Sequence, residues 1–473
     1  MLKKITIAVA LAFSSQAYAV DNTFFDDFTP MASSVTTPYP VSGEATPITF
    51  GNPYFSQQSI ADRVTENTQV PGSNSGNWDM IDADATGRYL FMPFETSTAG
   101  VMRYDTQTGN AETIVAPGTF AAGQTTNPFV VGDASRFTPW GTYLTAEESW
   151  GAGSTKGRLF ELTNPTTATA TTSTTNANFI QRTVIPRVSH EGLAFDAMKN
   201  LYFIDELNGG SIYKYVSNNA NASNGNDFFA SGQTFAAVVA GGNNANAAGG
   251  IVWQAITDAN GGALAGSSVL AADGTIDGRL SADLILATNY QRPEDMELRT
   301  AANGDELLYI ATTTTNEVYS FNLTTNTSSV FANQNTIDLA TGLPVGAGLL
   351  SPDNMAIDAN GNMYIIEDRN GGVDNDIWFA NDINKDGDLL DAGEGLARWA
   401  SNGTAGSEFT GLYFDKFDPN VAYVNIQHPT SGNDRLIKIT ATAPVPEPET
   451  YAMLLAGLGL MGATARRRKQ KHS

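Results

Sequence analysis

The chain has 473 residues, of which 41% are hydrophobic, so it can bury a large core in one big β domain or two smaller domains and is not disordered throughout. Its formal net charge of −23 excludes nucleic acid and anionic lipid surfaces as partners. The absence of cysteine excludes disulfide bonds, and only His190 and His428 lie in the body of the chain, so there is no histidine cluster for zinc.

The first 19 residues have the order of a secretory signal peptide. Lys3 and Lys4 precede an apolar run over residues 5–13, and a small-x-small cleavage site follows at residues 17–19. An N-terminal membrane anchor is the alternative, but the apolar run is too short to span a bilayer. We therefore expect export and a mature chain that starts at Val20.

Residues 20–76 are predicted to form an N-terminal extension, which is rich in Pro and Thr. We expect it to wrap the main domain or to pair with its last repeat. Without the two terminal targeting segments, residues 20–446 carry 19 basic and 47 acidic side chains, a net charge of −28. Such a surface attracts cations, although solubility alone is an alternative explanation for the charge.

One unit recurs along residues 77–440: an apolar strand, a turn with Asp, Asn or Gly, a second strand that ends in polar residues, and a third strand with an aromatic residue. Six candidate units are found, which begin at Met80, Thr138, Gly192, Ala282, Asn354 and Gly411. Short strands between regular turn residues favour an all-β fold. A repeat that cannot bury its own faces favours a six-bladed β-propeller, with a β-sandwich as the alternative.

Carboxylates recur where the second strand of a unit ends. Four of the six units have them there: Glu95, Glu147 with Glu148, Asp205 with Glu206, and Glu367 with Asp368. The other two units have Thr312 to Thr315 and Gln427-His428. Equivalent positions of a propeller converge around one axis, and crowded carboxylates need protons or cations, of which Ca²⁺ prefers oxygen ligands. The alternative is that these side chains point outward and only solvate loops.

Three further stretches place charged groups beside strands. They contain His190-Glu191, then Arg292 with Glu294 and Asp295, and then Asp353-Asn354. An arginine between carboxylates in so acidic a chain indicates either an anion-binding group held by its neighbours or a structural ion pair.

The motifs "TPWGTYLTAEE", "SHEGLAFD", "LYFIDE", "RPEDMEL", "SPDNMAID" with "YIIED", and "GSEFTGLYFDKFDPNVAYVNIQHP" resemble, in this order, those of PhoX-type alkaline phosphatases. The resemblance runs from about Asn77 to Ile439. It implies an exported β-propeller that hydrolyses phosphomonoesters with calcium and iron ions at its mouth, and it implies that Arg292 is a catalytic phosphate clamp. Glu148, Glu191, Glu294 and Asp353 would then be metal ligands.

The recurring carboxylates and the resemblance together define one predicted set of metal ligands. The set is Glu147, Glu148, Glu191, Asp205, Glu206, Glu294, Asp353, Glu367 and Asp368.

The chain departs from the family pattern at two places. Family members typically read Thr-Cys-Glu-Glu, in which the Cys binds iron, where this chain has Ala146. They often read Asn-His-Glu where this chain has Pro93-Phe94-Glu95. Because alanine cannot bind iron, we expect an altered metal site with Ca²⁺, or another metal, in which iron is disfavoured.

A second calcium site is predicted apart from the ring, in "DINKDGDLLDAGE". Acidic or amide side chains stand at the first, third and fifth positions and Gly387 at the sixth, as in an EF-hand loop, although the glutamate falls one place late. The predicted ligands are Asp382, Asn384, Asp386, Asp388 and Glu394. An unliganded turn is the alternative.

The C-terminal stretch "VPEPETYAMLLAGLGLMGATARRRKQKHS" combines a Pro-Glu-Pro triplet, an apolar segment over residues 451–465 and a basic end. Its order is similar to the PEP-CTERM sorting tag of Gram-negative, exopolysaccharide-producing bacteria, here residues 444–473, which implies processing by a protease of the exosortase type. The apolar segment predicts a short transmembrane helix whose basic end stays cytoplasmic. We therefore expect a monomer in the periplasm, at the cell surface or in the extracellular matrix, with membrane contact only through this tag.

Three functions remain open from the sequence. The first is an exported, metal-dependent phosphoric monoester hydrolase that acts on phosphorylated small molecules. The second is a non-catalytic, calcium-stabilised propeller that binds a partner or a matrix polysaccharide. The third is another enzyme, such as a calcium-dependent lactonase, because propellers host many activities.

Overall fold

The computed structural model describes residues 23–68, 75–151, 154–169, 175–242, 247–369 and 374–442. These residues are mostly β-structure, as the sequence predicts, and the longest α-helix among them has seven residues. None of the helices in these ranges is long and apolar enough to cross a bilayer. The predicted signal peptide and the predicted C-terminal sorting helix lie outside the described residues.

Two strands and two short helices precede the repeated sheets. In chain order they are a 3-10 helix (Val41–Gly43), β1 (Ile48–Phe50), β2 (Phe55–Asp62) and α1 (Arg63–Glu66). The side chain of Asp62 accepts a hydrogen bond from the backbone N–H of Thr65 and thereby caps α1.

Six groups of four antiparallel strands make up most of the described part of the chain, and we number them sheets 1 to 6 in chain order. Sheets 3 and 4 are joined into one nine-stranded sheet, and further strands extend sheet 5 to seven. Sheet 1 contains β3 (Asp82–Ala83), β4 (Tyr89–Pro93), β5 (Val101–Asp105) and β6 (Asn110–Val115). Sheet 2 contains β7 (Gly132–Phe137), β8 (Tyr143–Glu147), β9 (Leu159–Leu162) and β10 (Phe179–Gln181). In both sheets a glycine with positive φ, Gly87 at 65° or Gly141 at 89°, lies in the turn between the first two strands.

Sheet 3 contains four strands of its own, with β13 (Asn208–Gly210) and α2 (Gly225–Phe228) in its connections. The strands are β11 (Leu193–Phe195), β12 (Leu201–Ile204), β14 (Ile212–Ser217) and β15 (Gly232–Val239). A long connection to the next sheet then contains β16 (Gly249–Ala255), β17 (Val269–Leu270), β18 (Ile276–Asp277), α3 (Gly278–Leu284) and β19 (Tyr290–Gln291).

Sheet 4 follows this connection and is joined to sheet 3 through β16, which pairs with strands of both sheets. Its strands are β20 (Pro293–Thr300), β21 (Glu306–Thr312), β22 (Glu317–Asn322) and β23 (Thr327–Ala332). A hairpin of β24 (Ile337–Asp338) and β25 (Leu343–Pro344) and a 3-10 helix (Gly346–Gly348) lead to sheet 5.

Sheets 5 and 6 complete the fold with help from the N-terminal segment. Sheet 5 contains β26 (Pro352–Ile357), β27 (Met363–Glu367), β28 (Asp376–Asn381) and β29 (Gly395–Asn402). Sheet 6 contains β30 (Glu408–Phe414), β31 (Val421–Gln427) and β32 (Arg435–Ala441), and β2 is its fourth strand. Because β1 also pairs with β29, the N-terminal segment both covers sheet 5 and pairs with the last sheet.

The first strands of the six sheets lie against one another in a closed ring. Each of β3, β7, β11, β20, β26 and β30 contacts the next in this order. Sheet 6 meets sheet 1 through Thr410, whose Oγ1 donates a 2.9 Å hydrogen bond to the carbonyl of Trp78, and through Asn425, whose Nδ2 donates to the carbonyl of Asp79 over 2.6 Å. The N-terminal ends of these strands therefore come together around one axis.

Among the described residues, the hydrophobic core is divided into six clusters, one between each pair of neighbouring sheets. Tyr364 of sheet 5 packs against Phe414 of sheet 6, for example, and Phe91 of sheet 1 packs against Tyr143 of sheet 2. Sheets covered on both faces have fully buried strands, which is why every residue of β31 is buried. The burial of both faces accounts for the apolar runs that interrupt strict alternation in the sequence.

Candidate metal centre

A small cavity opens where the N-terminal ends of the first strands meet. It has a volume of about 80 Å³ and is lined by ten carboxylates together with Arg292, Gln427 and His428. The carboxylates are Asp79, Glu95, Asp133, Glu148, Glu191, Glu206, Glu294, Asp353, Asp368 and Glu408.

Six of these carboxylates form what we call the first-strand ring. Each sheet contributes one, at or just before the start of its first strand: Asp79, Asp133, Glu191, Glu294, Asp353 and Glu408. The remaining four follow the second strands of their sheets and form the second-strand ring with the residues at the equivalent place in sheets 4 and 6. Its members are Glu95, Glu148, Glu206, Thr313, Asp368 and His428.

A turn of the same backbone conformation precedes most of the first-strand carboxylates. Two residues before a carboxylate of this ring, the backbone adopts positive φ at Asn77, Val131, Arg292, Ser351 and Gly406, with angles between 42° and 75°. Left-handed conformations are uncommon for residues other than glycine, above all for a β-branched valine, and they concentrate at functional sites.

The second-strand ring holds this turn through the main chain. The backbone N–H groups of Glu148 and Asp368 donate to the carbonyls of Val131 and Ser351, over 2.9 and 3.0 Å. The N–H of Glu206 donates in the same way to the carbonyl of Ser189, over 2.8 Å. The two rings are therefore coupled by backbone hydrogen bonds, and the side chains of both rings, apart from Thr313, line the same cavity.

Three buried carboxylates of the first-strand ring approach one another closely enough to hold a metal ion. One oxygen from each of Glu191, Glu294 and Asp353 lies within 4.8 Å of the others. Oε2 of Glu294 is buried and has no hydrogen-bond partner among the described residues, and the same is true of one oxygen each of Asp79, Asp133 and Glu408. Oxygens that are crowded and unpartnered fit a hard cation such as Ca²⁺, which takes several carboxylate ligands.

Burial and mutual repulsion shift the pKa values of the cluster upward. Burial, followed by the charge of Glu206, raises the pKa of Glu294 to about 8. The pKa values of Glu191 and Asp353 also lie well above the usual range. Burial is the main cause, and the negative charge of Glu294 is the second. At neutral pH these groups would retain protons or require a cation.

Arg292 lies at the edge of the cluster and is partly accessible. Its Nε donates a 2.6 Å hydrogen bond to Oε1 of Glu206 and lies 3.1 Å from Oε1 of Glu294. Burial lowers the pKa of Arg292, but Glu294 and Glu206 outweigh this and raise it above its usual value, so the guanidinium stays charged. The side chain remains 31% exposed, and it can therefore contact an anion at the mouth of the cavity.

His428 lines the same cavity from sheet 6. Its Nε2 lies 3.3 Å from Oε1 of Glu408 and 3.9 Å from Oε2 of Glu95. Gln427, the residue before it, donates from Nε2 to Glu95 over 2.7 Å. Sheet 6 thus contributes both a carboxylate and an imidazole to the rim.

Six of the nine predicted ligands line the cavity and three do not. Glu148, Glu191, Glu206, Glu294, Asp353 and Asp368 reach it. Glu147, Asp205 and Glu367, which the sequence also predicts as ligands, are fully buried elsewhere: Glu147 pairs with Arg158, Asp205 pairs with Arg279, and Glu367 accepts from Trp378. The physical reason is that successive side chains of a strand point to opposite faces, so only the second residue of each acidic pair faces the cavity.

Three carboxylates of the cavity were not predicted. Asp79, Asp133 and Glu408 belong to the first-strand ring, and Glu95 was recognised in the recurring pattern without being included among the ligands. A signal was present, because each of the three lies at or just before the start of the first strand of a unit, as Glu191, Glu294 and Asp353 do.

Ala146 lies in the hydrophobic core between sheets 2 and 3. It is fully buried in a cluster that includes Leu144, Val188 and Leu193, and it is not part of the cavity lining. Its replacement of a metal-binding thiol remains a prediction from the sequence.

The predicted second calcium loop is closed by its own hydrogen bonds. Asp382 accepts from Nη2 of Arg299 over 2.5 Å, and Glu394 accepts from the backbone N–H groups of Ile383 and Asp391. Asn384 donates from Nδ2 to Asp386, and the Oδ1 atom of Asp388 accepts from the N–H of Leu390. The five predicted ligands thus share one loop, and their binding of Ca²⁺ remains a prediction from the sequence.

Fold and site together define a mostly β protein, built from repeated four-stranded sheets, with a buried acidic centre suited to a metal. The alkaline phosphatase PhoX model matches residues 131–430, and the chain belongs to this family. The PEP-CTERM protein-sorting motif matches residues 444–469, which implies an exported, cell-surface protein that is processed by an exosortase. Both resemblances seen in the sequence are confirmed.

One solved structure supports the fold, and two others are less similar. Pseudomonas fluorescens PhoX in complex with vanadate, a transition state analogue, matches with a TM-score of 0.61 at 16% identity, over 88% of this chain and 97% of that chain. Regucalcin, a calcium-binding protein from Agrobacterium tumefaciens, matches with a TM-score of 0.42 at 11% identity, over 82% and 96% of the two chains. A gluconolactonase from Xanthomonas campestris matches with a TM-score of 0.40 at 10% identity, over 88% and 97%. Comparison with curated proteins gave no significant match.

Proposed function

We propose that the protein is an exported, metal-dependent phosphomonoesterase whose active centre is the acidic cavity. The observation that carries this proposal is the position of Arg292, an accessible and permanently charged guanidinium held against Glu206 and Glu294 at the edge of a crowded carboxylate cluster. A cation site beside an anion-binding arginine is the arrangement that phosphoryl transfer requires. Membership of the PhoX family supports the same reaction class.

Glu191, Glu294 and Asp353 would hold the first cation, and the remaining ring carboxylates offer oxygens for further ions. Bound Ca²⁺ would supply Lewis-acid polarisation of the phosphoryl oxygens. Arg292 would clamp the phosphate and neutralise the charge that develops on it. The substrate would be a phosphorylated small molecule whose phosphate reaches the mouth of the cavity while the rest stays outside, since the cavity itself is only about 80 Å³.

For the whole chain we propose a six-bladed β-propeller, supported by the six sheets, the ring of first strands and the six inter-sheet clusters. We further propose residues 1–19 as a signal peptide, 20–76 as an extension, 77–440 as the propeller and 444–473 as the sorting segment. The body would lie outside the inner membrane of a Gram-negative bacterium, as a monomer attached only through the sorting segment until an exosortase cleaves it.

A non-catalytic, calcium-stabilised propeller that binds a partner or matrix polysaccharide is the second candidate. Ala146 stands where the family carries a metal-binding thiol, and alanine cannot bind iron. A centre that held calcium without the iron of the family would favour this candidate.

The decisive experiment measures p-nitrophenyl phosphate hydrolysis by the purified mature protein with Ca²⁺, with and without iron, together with elemental analysis. We expect bound calcium and calcium-dependent turnover. Bound calcium without turnover under either condition would contradict the phosphomonoesterase and favour the binding module. The Ala146→Cys variant tests the cause of low turnover. Recovery of iron and activity in this variant would identify the missing thiol as that cause.

A further inference from the structure

Three buried carboxylates stand directly before members of the second-strand ring: Glu147, Asp205 and Glu367. Each accepts a hydrogen bond from the backbone of the loop that leads into a first-strand carboxylate. The N–H donors are those of Val130 at 3.3 Å, Ser189 at 2.9 Å and Leu350 at 2.9 Å. The carboxylates that these loops carry are Asp133, Glu191 and Asp353.

The three carboxylates are themselves firmly held. Asp205 receives Nε and Nη2 of Arg279, each over 2.6 Å, and Arg279 also donates to the carbonyl of Trp150. Glu147 receives Nε of Arg158 over 2.8 Å. A pair of parallel hydrogen bonds from one guanidinium, as between Arg279 and Asp205, fixes the plane of the carboxylate as well as its position.

Glu367 is held by neutral donors in place of an arginine. Its Oε1 accepts from Nε1 of Trp378 over 3.1 Å, and its Oε2 accepts from the backbone N–H of Asp376 over 3.1 Å.

Each turn is therefore held by two hydrogen bonds from one acidic dipeptide, one to the side chain of its first residue and one from the backbone N–H of its second. In sheet 5, the side chain of Glu367 binds the N–H of Leu350, while the N–H of Asp368 binds the carbonyl of Ser351. These two hydrogen bonds lie immediately before Pro352 and Asp353. Without it, mutual repulsion would drive the buried carboxylates of the first-strand ring apart, because like charges in a poorly solvated site repel strongly.

We propose that Glu147, Asp205 and Glu367 are positioning residues, which set the spacing of the first-strand carboxylates and thereby the cation affinity of the centre, without binding the cation themselves. The inference rests on the proposed metal site. Groups that orient metal ligands change metal affinity by roughly 10- to 100-fold when they are removed.

The chain offers a matched control in Glu161 of β9. Glu161 is equally buried and is paired with Arg182, whose Nε donates over 2.7 Å, and with Nε1 of Trp140 over 3.0 Å. It is not part of the cavity lining and contacts none of the turns described above. Glu161→Gln therefore removes a buried carboxylate of the same kind without touching the centre.

The test is Ca²⁺ titration by isothermal calorimetry on the metal-depleted mature protein and on Asp205→Asn, Glu367→Gln, Glu161→Gln and Glu191→Gln. We expect about 10-fold or greater loss of Ca²⁺ affinity for Asp205→Asn and Glu367→Gln, with the number of bound ions unchanged. Glu161→Gln should bind as the wild type does, even where its melting temperature falls as much. Glu191→Gln, which removes a proposed ligand, should bind fewer ions.

Wild-type affinity in both Asp205→Asn and Glu367→Gln would overturn the inference, and so would an equal loss of affinity in Glu161→Gln. A reduced number of ions in the two variants would make these residues ligands and contradict the inference as well. If Asp205→Asn does not fold, Arg279→Gln provides the same test from the partner side. Wild-type protein that binds no Ca²⁺ overturns the proposed function together with this inference, whereas wild-type binding that the variants leave unchanged overturns the inference alone.

Discussion

Arg292 and Glu206 join sheets 4 and 3 at the mouth of the acidic cavity, through a 2.6 Å hydrogen bond from the guanidinium Nε to the carboxylate Oε1. The backbone of Arg292 is left-handed, with φ of 58°, and its carbonyl accepts from the N–H of Thr313. Main chain and side chain of this residue are thus both fixed, so the guanidinium is held in one orientation toward the cavity.

Replacement of Arg292 should impair phosphate ester hydrolysis more than metal binding. Arg292→Lys keeps the charge but loses the planar fork, so we expect kcat/KM for p-nitrophenyl phosphate to fall about 100-fold, or about 2.7 kcal/mol. Steady-state kinetics measures this, with Arg88→Lys as a control, because Arg88 forms a half-exposed ion pair with Asp105 in sheet 1. Unchanged kcat/KM in Arg292→Lys would argue against a phosphate clamp.

Removal of one charge from the centre should stabilise the metal-free protein. Glu294 is buried with an unpartnered oxygen, and its raised pKa means that its ionised form is disfavoured in the fold. We expect Glu294→Gln to raise the free energy of unfolding of the chelated protein by ~2 kcal/mol at pH 9 and to weaken Ca²⁺ binding. Denaturant titration in the presence and absence of Ca²⁺ measures both effects, and destabilisation of the chelated variant would contradict the prediction.

The stability of the chelated protein should fall as the pH rises. The folded pKa of Glu294 is about 8, above the unfolded value near 4.3, so the carboxyl contributes its full stability below about pH 4 and loses it as the pH passes 8. We expect lower melting temperatures at pH 9 than at pH 6 with chelator, and recovery at pH 9 with Ca²⁺. Calorimetry checks this, and a melting temperature with chelator that does not fall between pH 6 and pH 9 would refute it.

The loop over residues 382–394 should not require calcium. Because Asp382 is paired with Arg299 and Glu394 caps backbone amides, the loop is held by protein contacts. Asp386→Asn and Asp388→Asn should leave both the number of bound Ca²⁺ ions and the melting temperature within error of the wild type. Loss of one ion in the elemental analysis of either variant would instead support the EF-hand-like calcium site.

The N-terminal strand should be needed for solubility. β2 pairs along its whole length with β32, from Phe55 opposite Ala441 to Asp62 opposite Arg435. Deletion of residues 20–62 would expose the edge of β32 and uncover part of the core around Trp399, which Phe25 and Phe55 contact. We expect aggregation of the truncated protein in size-exclusion chromatography, and a soluble monomer of native stability would show that sheet 6 is complete without β2.

The sequence predicted the repeated β unit, the family and most of the acidic centre, because each rests on local patterns that recur along the chain. It could not separate Glu147 from Glu148, or Asp205 from Glu206, since both members of each pair fit the same spacing. It also overlooked Asp79, Asp133 and Glu408, because a single acidic residue before a strand is common and gains meaning only when six of them converge.

Sequence by itself thus determined that carboxylates recur at equivalent places in an all-β repeat, since strand length, turn residues and side-chain type are local properties. Tertiary structure decided which carboxylates meet. The closed ring of first strands places residues from Asp79 to Glu408 around one cavity, and strand alternation sends the first member of each acidic pair into the buried ion pairs and hydrogen bonds behind it. The physical reason is that the meeting of these carboxylates, and the direction in which each side chain points, depend on contacts between sheets far apart in the chain. No local pattern encodes such contacts.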